Sequence, residues 1–205
     1  SYTYINNSKT LVDFSNRLME DVSASEITTI SSNFADVMRS TELGSYLAHD
    51  TSKVDMKNNV LLQFMMGHVR QFDLVDSVYI GTESGYFMLL AQIRPGSTYR
   101  ASSTKPLPKK AFFSLRVVDR TTPKTTEIWY YLDESGNKLD EEVIPQSQIT
   151  LNAKNRPWYQ KAREARANIW TDIFISDPSK ASIISCGVPL FSDTGEFTGV
   201  ISSSI

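Results

Sequence analysis

The chain has 205 residues, of which 40% are hydrophobic and 11% aromatic, and this composition excludes a disordered tail or a fibrous repeat. Its 21 basic and 23 acidic residues give a formal net charge of −2, so we expect neither nucleic acid nor an anionic membrane surface as the main partner. A single cysteine excludes an intrachain disulfide and any multi-cysteine metal site.

The N-terminal region has the pattern of a long helix. Neither glycine nor proline occurs before Gly44, and apolar residues recur three or four positions apart over residues 11–37. The spacing widens once, so a bend or a restart of the helix near Ser25 fits the pattern. A second helix is predicted with an apolar face over residues 60–72 and with Ser52 and Asp55 in capping positions.

After Ser77 the apolar pattern changes to that of short strands. Gly85, Gly136 and Gly195 mark tight turns between them, residues 94–110 read as a long surface loop, and Pro157 opens a short helix. The predicted strands span residues 78–80, 86–90, 112–119, 127–132, 169–175, 181–191 and 197–205.

This order of elements predicts an α+β fold, with a long N-terminal helix packed on an antiparallel sheet. We divide the chain into a helix for signalling and dimerisation, residues 1–50, and a sensing module, residues 51–205. Both ends of the sequence have the pattern of an excised piece, so we expect the chain to be part of a larger protein.

The search for catalytic motifs is negative. No phosphate-binding loop, dinucleotide fingerprint, zinc-protease motif or nucleophile elbow occurs in the sequence. His49 and His68 lie on different segments, and Cys186 sits within an apolar strand, where it reads as a small buried hydrophobe. We therefore expect no enzyme activity in this chain, no metal ion and no cofactor.

The segment Arg156-Pro157-Trp158-Tyr159 could form a small-ligand site. Pro157 fixes the start of a helix whose first free N–H groups favour an anion. The guanidinium of Arg156 matches a carboxylate, and the two aromatic rings supply apolar walls with polar tips. The residue types also allow a purely structural role, in which Trp158 and Tyr159 anchor the core and Arg156 pairs with Asp172.

Four pieces of the last quarter of the chain resemble a known family in order and spacing. These pieces are the runs at residues 155–162, 169–174, 188–195 and 199–201. They resemble the Cache family, and more narrowly the membrane-distal module of double Cache (dCache) sensor domains. The resemblance implies a PAS-like antiparallel sheet behind a long helix, with a small metabolite bound in the pocket of the distal module.

The resemblance also implies the cellular setting. Cache domains form the extracytoplasmic parts of chemoreceptors, histidine kinases and nucleotide or diguanylate cyclases. We therefore expect a periplasmic or extracellular domain of a membrane-anchored receptor, whose output part can carry an enzyme. A second, membrane-proximal module is expected to follow Ile205. We also expect a homodimer through the long helix, whose apolar stripe exceeds what one compact domain covers.

The ligand expected from the resemblance is not an ordinary amino acid. Amino-acid-binding members use an arginine, a tryptophan, a strand tyrosine and an aspartate that neutralises the ligand ammonium. Arg156 and Trp158 are kept, but Phe174 stands at the tyrosine position and Ser204, or Ser203 in a shifted register, at the aspartate position. Because serine cannot neutralise a buried ammonium, a carboxylate-type metabolite without an amine is predicted.

Further polar residues complete the predicted site. Strand alternation places one of Tyr130 and Tyr131 on the inner face without saying which, and we select Tyr131. The predicted ligand-binding residues are Arg156, Trp158, Tyr159, Asp172, Phe174, Tyr131 and Ser204. Two rival interpretations remain: a ligand-free interaction or structural module of a membrane protein, and a cytosolic PAS-like cofactor domain.

Overall fold

The computed structural model describes residues 2–48, 60–97, 99–101, 105–176 and 180–205, with side chains from residue 23 onwards. Helix α1 spans Tyr2–Leu47 without interruption, so it does not restart near Ser25. The hydroxyls of Thr28 and Thr29 donate to the carbonyls of Ala24 and Ser25 at 2.9 Å, which accommodates these polar residues inside the helix. His49 and the predicted caps Ser52 and Asp55 lie outside the described residues.

The chain divides into two compact units, residues 1–36 and residues 37–205. The first consists of helix α1 alone, and the second holds the end of α1 and every other described element. The functional division at residue 50 stays a prediction.

The second unit is built on one large antiparallel sheet. Its eight strands lie in the order β5-β4-β3-β2-β1-β10-β9-β6, and a separate two-stranded ribbon pairs β7 with β8. The elements after α1 are α2 (Val60–Gln71), β1 (Ser77–Thr82), β2 (Tyr86–Gln92), β3 (Phe113–Asp119), β4 (Thr126–Leu132), β5 (Lys138–Val143), α3 (Pro157–Ala165), β6 (Ile169–Trp170), β7 (Phe174–Ile175), β8 (Ser182–Ile183), β9 (Ser185–Phe191) and β10 (Phe197–Ser204). This architecture confirms the predicted α+β fold.

Strand positions differ from the sequence pattern in two places. The polar segment Lys138–Val143 forms edge strand β5, where charged residues are common because only one side of the strand is paired. Each of the long strands predicted at residues 169–175 and 181–191 is split between the main sheet and the ribbon. The split occurs where Thr171 and Ser185 exchange two hydrogen bonds at 2.9 Å, one of them through the Thr171 hydroxyl.

The sheet has two buried faces with different coverings. Helix α2 and the end of α1 cover one side, which we call the helix face; its core includes Leu62, Met65, Val78, Ile80, Met88, Leu90 and Ile201. Helix α3 and the loops cover the other side, the cavity face, whose core includes Tyr79, Phe87, Leu89, Trp129, Tyr131, Trp158 and Tyr159. Alternation along each strand sends successive side chains to opposite faces.

Gly81 allows α3 to lie close to the sheet. A Cβ atom at this position would lie 2.7 Å from the Cβ of Ala153 and 3.0 Å from the ring of Trp158. A side chain at Gly81 would therefore push Trp158, at the start of α3, away from strand β1.

Candidate functional site

A small cavity lies on the cavity face, beneath the start of α3 and the ribbon β7–β8. Its volume is about 30 Å³, which is room for a water molecule or two. The lining residues are Ser77, Tyr79, Phe87, Leu89, Arg116, Leu151, Arg156, Trp158, Phe174, Ser176 and Ile183. Two guanidinium groups and several aromatic rings therefore meet at one place, and none of the described lining residues is acidic.

A larger hollow of about 630 Å³ lies elsewhere, between the end of α1, the β1–β2 turn and the β9–β10 hairpin. It borders Ala48, after which the description of the chain resumes only at Val60. Arg156, Trp158 and Phe174, which the sequence singles out, lie at the smaller cavity instead.

Arg156 is held at the mouth of the cavity as the residue before helix α3. Its backbone is extended there, and Pro157 supplies the first helical residue, as predicted. One guanidinium nitrogen, Nη2, donates to the carbonyl of Ile175 in the ribbon at 3.0 Å. The amides of Tyr159 and Gln160 both donate to the Arg156 carbonyl at 3.1 Å, so these two first-turn donors are already used.

Trp158 and Tyr159 point to different places. The Trp158 ring is buried against the ring of Tyr79, with centroids 4.9 Å apart in an edge-on arrangement, and it lines the cavity. The hydroxyl of Tyr159 instead donates to Glu83 Oε1 at 2.7 Å, at the tip of the β1–β2 hairpin. Arg156 and Trp158 thus converge on one cavity, whereas Tyr159 joins α3 to the β1–β2 hairpin on the side away from the cavity.

Glu83 holds the tip of the hairpin to α3 and to the segment before it. Lys154 Nζ lies 3.4 Å from one carboxylate oxygen of Glu83, and Arg163 Nε lies 3.6 Å from the other. Partial burial alone would raise the pKa of Glu83, but the hydrogen bond from Tyr159 and these two cations outweigh it, so the pKa is lowered.

The two predicted residues near the ribbon have different environments. Phe174 is half-buried and lines the cavity. The carboxylate of Asp172 is fully exposed and lies 3.5 Å from Lys161 Nζ. Among the described residues, Arg156 makes no ion pair with Asp172, and its hydrogen bond goes to the ribbon backbone instead.

Tyr131 and Ser204 lie on the cavity face but do not line the cavity. Tyr131 opposes Ser114 in the sheet, and its hydroxyl accepts a hydrogen bond from the Ala101 amide at 3.1 Å. Burial raises the pKa of Tyr131. The hydroxyl of Ser204 lies 2.8 Å from that of Ser77, which does line the cavity. Of the two residues considered for the aspartate position, Ser204 is therefore the one on this face.

Uncharged hydroxyl groups form the floor beneath the cavity. The Tyr79 hydroxyl lies 2.6 Å from the hydroxyl of Ser185, and both groups are buried. Burial raises the pKa of Tyr79 to about 12, although hydrogen bonds with neighbouring serines act in the opposite direction. The floor is thus electrically neutral at physiological pH.

The wall of the cavity contains a buried ion pair that was not predicted from the sequence. Arg116 Nε donates to Glu127 Oε1 at 2.9 Å, and the indole nitrogen of Trp129 donates to the same oxygen at 2.9 Å. The Arg116 guanidinium also stacks over the Trp129 ring, 5.1 Å from its centroid. An arginine in the middle of the apolar strand 112–119 is the signal that could have identified this wall.

On the helix face, a polar cluster joins four elements, the helices α1 and α2 and the strands β9 and β10. His68 of α2 lies with Nε2 at 2.9 Å from the Ser203 hydroxyl and with Nδ1 at 2.8 Å from the Ser40 hydroxyl. Thr41 of α1 lies 2.8 Å from the same Ser203 hydroxyl and 3.3 Å from the sulfur of Cys186. Burial lowers the pKa of His68 to about 4, so the ring is neutral at physiological pH.

The sequence match identifies the chain as a sensor domain. The sequence of residues 99–205 matches the family described as the methyl-accepting chemotaxis protein-like, first PDC sensor domain. The match covers just over half of the chain, so the chain belongs to this family, which confirms the resemblance to Cache-type sensor domains. No curated protein is similar enough to the chain to count as a relative.

Several solved chemoreceptor domains are similar in structure. The ligand-binding domain of Pseudomonas aeruginosa PctC in complex with GABA is 16% identical, with a TM-score of 0.47, over 85% of this chain and 55% of that one. The sensory domain of Campylobacter jejuni Tlp3 with isoleucine bound is 14% identical, with a TM-score of 0.49, over 87% and 54%. The chain thus spans little more than half the length of these structures. Within its described residues, no helix is both long and apolar enough to cross a membrane.

Proposed function

We propose that this domain is the extracytoplasmic sensing module of a membrane-anchored receptor and that it binds a small carboxylate in the cavity under α3. The observation that carries the proposal is the lining of this cavity: Arg116, Arg156 and Trp158 meet there, and none of the described lining residues is acidic. A guanidinium binds a carboxylate through two parallel hydrogen bonds, and a nearby indole excludes water from them.

The neutral floor supports a ligand without an amine. An ammonium group in this cavity would face the hydroxyls of Ser77 and Tyr79, which cannot neutralise it. PctC and Tlp3 hold GABA and isoleucine, both of which carry an amine. We propose that the present domain differs from them in ligand because Ser204 and its partner Ser77 offer hydroxyls where an ammonium requires a carboxylate.

Ligand entry requires the cavity to widen, since a volume of about 30 Å³ is smaller than a carboxylic acid with a side chain. We propose that the ribbon β7–β8 opens. It consists of two strands of two residues each, and a ribbon this short contributes little stability of its own. Phe174 and Ile183 of the ribbon line the cavity, and the hydrogen bond between Arg156 and the Ile175 carbonyl would be exchanged for a bond to the ligand.

Strand β10 connects the cavity side of the sheet to helix α1. Ser202 and Ser204 face the cavity side, opposite Tyr79 and Ser77 in the register of the sheet. Ser203 between them faces the other way and contacts Thr41. We propose that ligand binding shifts the population of two arrangements of β10 and that α1 carries the difference towards the membrane.

We propose that a second module follows Ile205.

We also propose that the receptor is a homodimer through α1. Every residue from 23 to 33 of this helix is exposed, including Ile27 and Ile30. Because a helix within a protein gains most of its stability from packing against other elements, we expect a partner helix on this surface. Sedimentation analysis of the wild type and of Ile27→Glu/Ile30→Glu tests the dimer, since only the wild type should sediment as one.

The small cavity also favours a second function, that of a ligand-free interaction module. In this arrangement Arg156 is a structural clamp on the ribbon, and the side chains around Trp158 fill the space that a ligand would need. The domain would then respond to a partner protein or to the state of the membrane.

A thermal-shift screen of small carboxylates separates the two functions. We expect at least one carboxylate to raise the melting temperature of the wild type and to have no effect on Arg156→Ala. Lys161→Ala is the matched control, because it removes a cation from the same helix whose ion-pair partner, Asp172, is fully exposed. If no carboxylate stabilises the wild type, or if Arg156→Ala responds equally, the ligand-free function is favoured.

A further inference from the structure

The polar cluster on the helix face connects the end of α1 to the sheet through a buried histidine. Both ring nitrogens of His68 contact hydroxyl groups, Nδ1 that of Ser40 on α1 and Nε2 that of Ser203 on β10. The ring is only 3% exposed, and its other neighbours include the rings of Phe64 and Phe72, with centroids 5.6 and 5.1 Å away. The histidine therefore joins α1 to β10 at a place from which water is excluded.

The hydrogen bonds of the cluster run in one direction. The hydroxyl of Thr41 donates to the carbonyl of Val37 at 2.8 Å, which uses its only proton. Ser203 must therefore donate to Thr41, and it accepts from Nε2 of His68. Because a neutral imidazole carries one proton, Nδ1 is left as an acceptor, and the hydroxyl of Ser40 donates to it.

A second proton on the ring is incompatible with this arrangement. It would bind to Nδ1, so that the new N–H and the hydroxyl proton of Ser40 would point at each other. The ring would also carry a positive charge among apolar side chains, and a buried charge without an opposite charge is unfavourable. A doubly protonated His68 is therefore expected to leave the cluster for water.

The surrounding elements provide no charge to offset this cost. Charged or titratable residues within four positions of the cluster on α1 and α2, or on the helix face of β1, β2, β9 and β10, are Asp36, Arg39, Glu42, Arg70, Tyr86 and Cys186. Burial raises the pKa of Tyr86 and of Cys186, so both are neutral between pH 5 and 7. The pKa of His68 is lowered by burial alone, so none of these groups stabilises a charged ring.

We propose that the domain responds to a second stimulus, the proton: in acid, His68 leaves the cluster and thereby loosens the contact of residues 37–47 of α1 with strand β10. This inference goes beyond the binding of a carboxylate and does not depend on it. Strand β10 is also the strand proposed to carry the effect of the ligand. Acid and ligand would thus act on the same contact between the sheet and α1.

The single cysteine of the chain offers a probe of this contact. Cys186 is fully buried, and its sulfur lies 3.3 Å from the hydroxyl of Thr41, so a reagent reaches it only when the end of α1 moves away. The experiment measures the rate at which a pyridyl disulfide modifies Cys186 at pH 7 and at pH 5. Each rate is divided by the rate for the urea-denatured chain at the same pH, which removes the intrinsic effect of pH on the thiol.

We expect this relative rate to rise about 20-fold between pH 7 and pH 5. The factor follows from a pKa of about 4 for the buried ring and 6.5 for the released one. In His68→Gln, which cannot take up the proton, the rise should be absent. His49→Gln is the matched control, because it removes the other histidine of the chain and should keep the rise.

A second cysteine position separates local loosening from complete unfolding. Ser114 is fully buried on the cavity face, so Ser114→Cys in a Cys186→Ala background should react only when the whole domain unfolds. Cys186 should react faster than this cysteine at both pH values. Equal rates at the two positions would mean that acid merely destabilises the fold, and they would overturn the inference.

A rise of the same size in His68→Gln, or its loss in His49→Gln, would also overturn the inference. Where His68→Gln does not fold, the ring nitrogens of the wild type decide the question by NMR. At pH 7 the proton is expected on Nε2, and a proton on Nδ1 would overturn the proposed direction of the hydrogen bonds and the inference with it. None of these results bears on whether the cavity binds a carboxylate.

Discussion

On the helix face of the sheet, α2 packs Leu62, Met65 and Val69 against strands β1 and β2, and the polar groups of His68 and Ser203 are hydrogen-bonded to each other. On the cavity face, hydroxyls and a buried ion pair interrupt the apolar packing. Four buried side-chain polar atoms lack a partner among the described residues, and three of them, on Ser114, Glu127 and Glu142, lie on the cavity face. Among the described residues, local rules of stability are thus relaxed mainly on the face of the sheet that carries the cavity.

Removal of a large buried side chain should have the largest effect on the free energy of unfolding, and we expect such an effect on both faces of the sheet. Trp158→Ala is expected to lower the free energy of unfolding by about 3–5 kcal/mol, because the buried indole packs on Tyr79, Phe87 and Tyr159. Met65→Ala on the helix face should cost about 2–5 kcal/mol. Urea denaturation measures both costs.

Carboxylate binding by these two variants distinguishes the faces further. At a temperature where both are folded, Trp158→Ala should lose the thermal shift produced by a carboxylate that binds the wild type. Met65→Ala should keep it. Equal loss in both variants would show that stability alone, not the cavity, controls binding.

Protonation of His68 should weaken the helix face as the pH falls. The pKa of His68 is about 4 in the folded protein and 6.5 when the ring is exposed, so between these values the unfolded chain binds more protons. The free energy of unfolding should therefore fall by about 3 kcal/mol as the pH is lowered from 6.5 to 4. Above pH 6.5 this residue should have no effect.

The measurement is the urea midpoint of the wild type and of His68→Gln across this range. Carboxylates titrate in both proteins, so the difference between the two profiles isolates the histidine. Parallel profiles would mean that His68 accepts its proton without disturbing the contacts to Ser40 and Ser203.

A smaller effect should follow from adding one methyl group at either of two glycines. Gly81→Ala is expected to cost about 1–3 kcal/mol, since the new Cβ would lie 2.7 Å from Ala153 Cβ and must displace the start of α3. Gly67→Ala on the exposed side of α2 meets nothing within 4 Å, and the higher helix propensity of alanine should stabilise by about 0.5–1 kcal/mol. Opposite shifts in melting temperature would support this contrast, and destabilisation by both would contradict it.

Local sequence signals predicted most of the elements and the meeting of two residues at the candidate site. The periodicity of residues 11–37 was sufficient for α1, and Pro157 was sufficient for the start of α3, because both features depend on neighbouring residues. The convergence of Arg156 and Trp158 followed from their positions at one helix start. These are the features that a chain can specify within a few residues.

The contacts of Arg116 and of Tyr159 depend on pairing between segments that are distant in the sequence, so local signals could not predict them. Arg116 meets Trp129 only through the register of β3 against β4, and its partner Glu127 lies two residues along from Trp129. The direction of Tyr159 depends on the rotation of α3 over the sheet and on the position of Glu83 in a hairpin formed 76 residues earlier. Neither quantity leaves a periodic signal in the sequence.

The smallest expected effect concerns Tyr159, which sits on the cavity face but makes its polar contact away from the cavity. Tyr159→Phe removes one hydrogen bond to Glu83 and should cost about 1 kcal/mol, because Lys154 and Arg163 still neutralise the carboxylate. The pKa of Glu83 should rise towards its ordinary value, since the tyrosine is one of the groups that lower it.

A group with a lowered folded-state pKa contributes stability above its unfolded pKa and loses it as the pH falls. The gap between wild type and Tyr159→Phe should therefore narrow in acid, and urea midpoints at neutral and acidic pH measure it. Tyr130→Phe is the control, because the Tyr130 hydroxyl makes no hydrogen bond among the described residues. If Tyr159→Phe instead abolishes carboxylate binding while the protein stays folded, the hydroxyl acts on the ligand, and Tyr159 belongs with Arg156 and Trp158 after all.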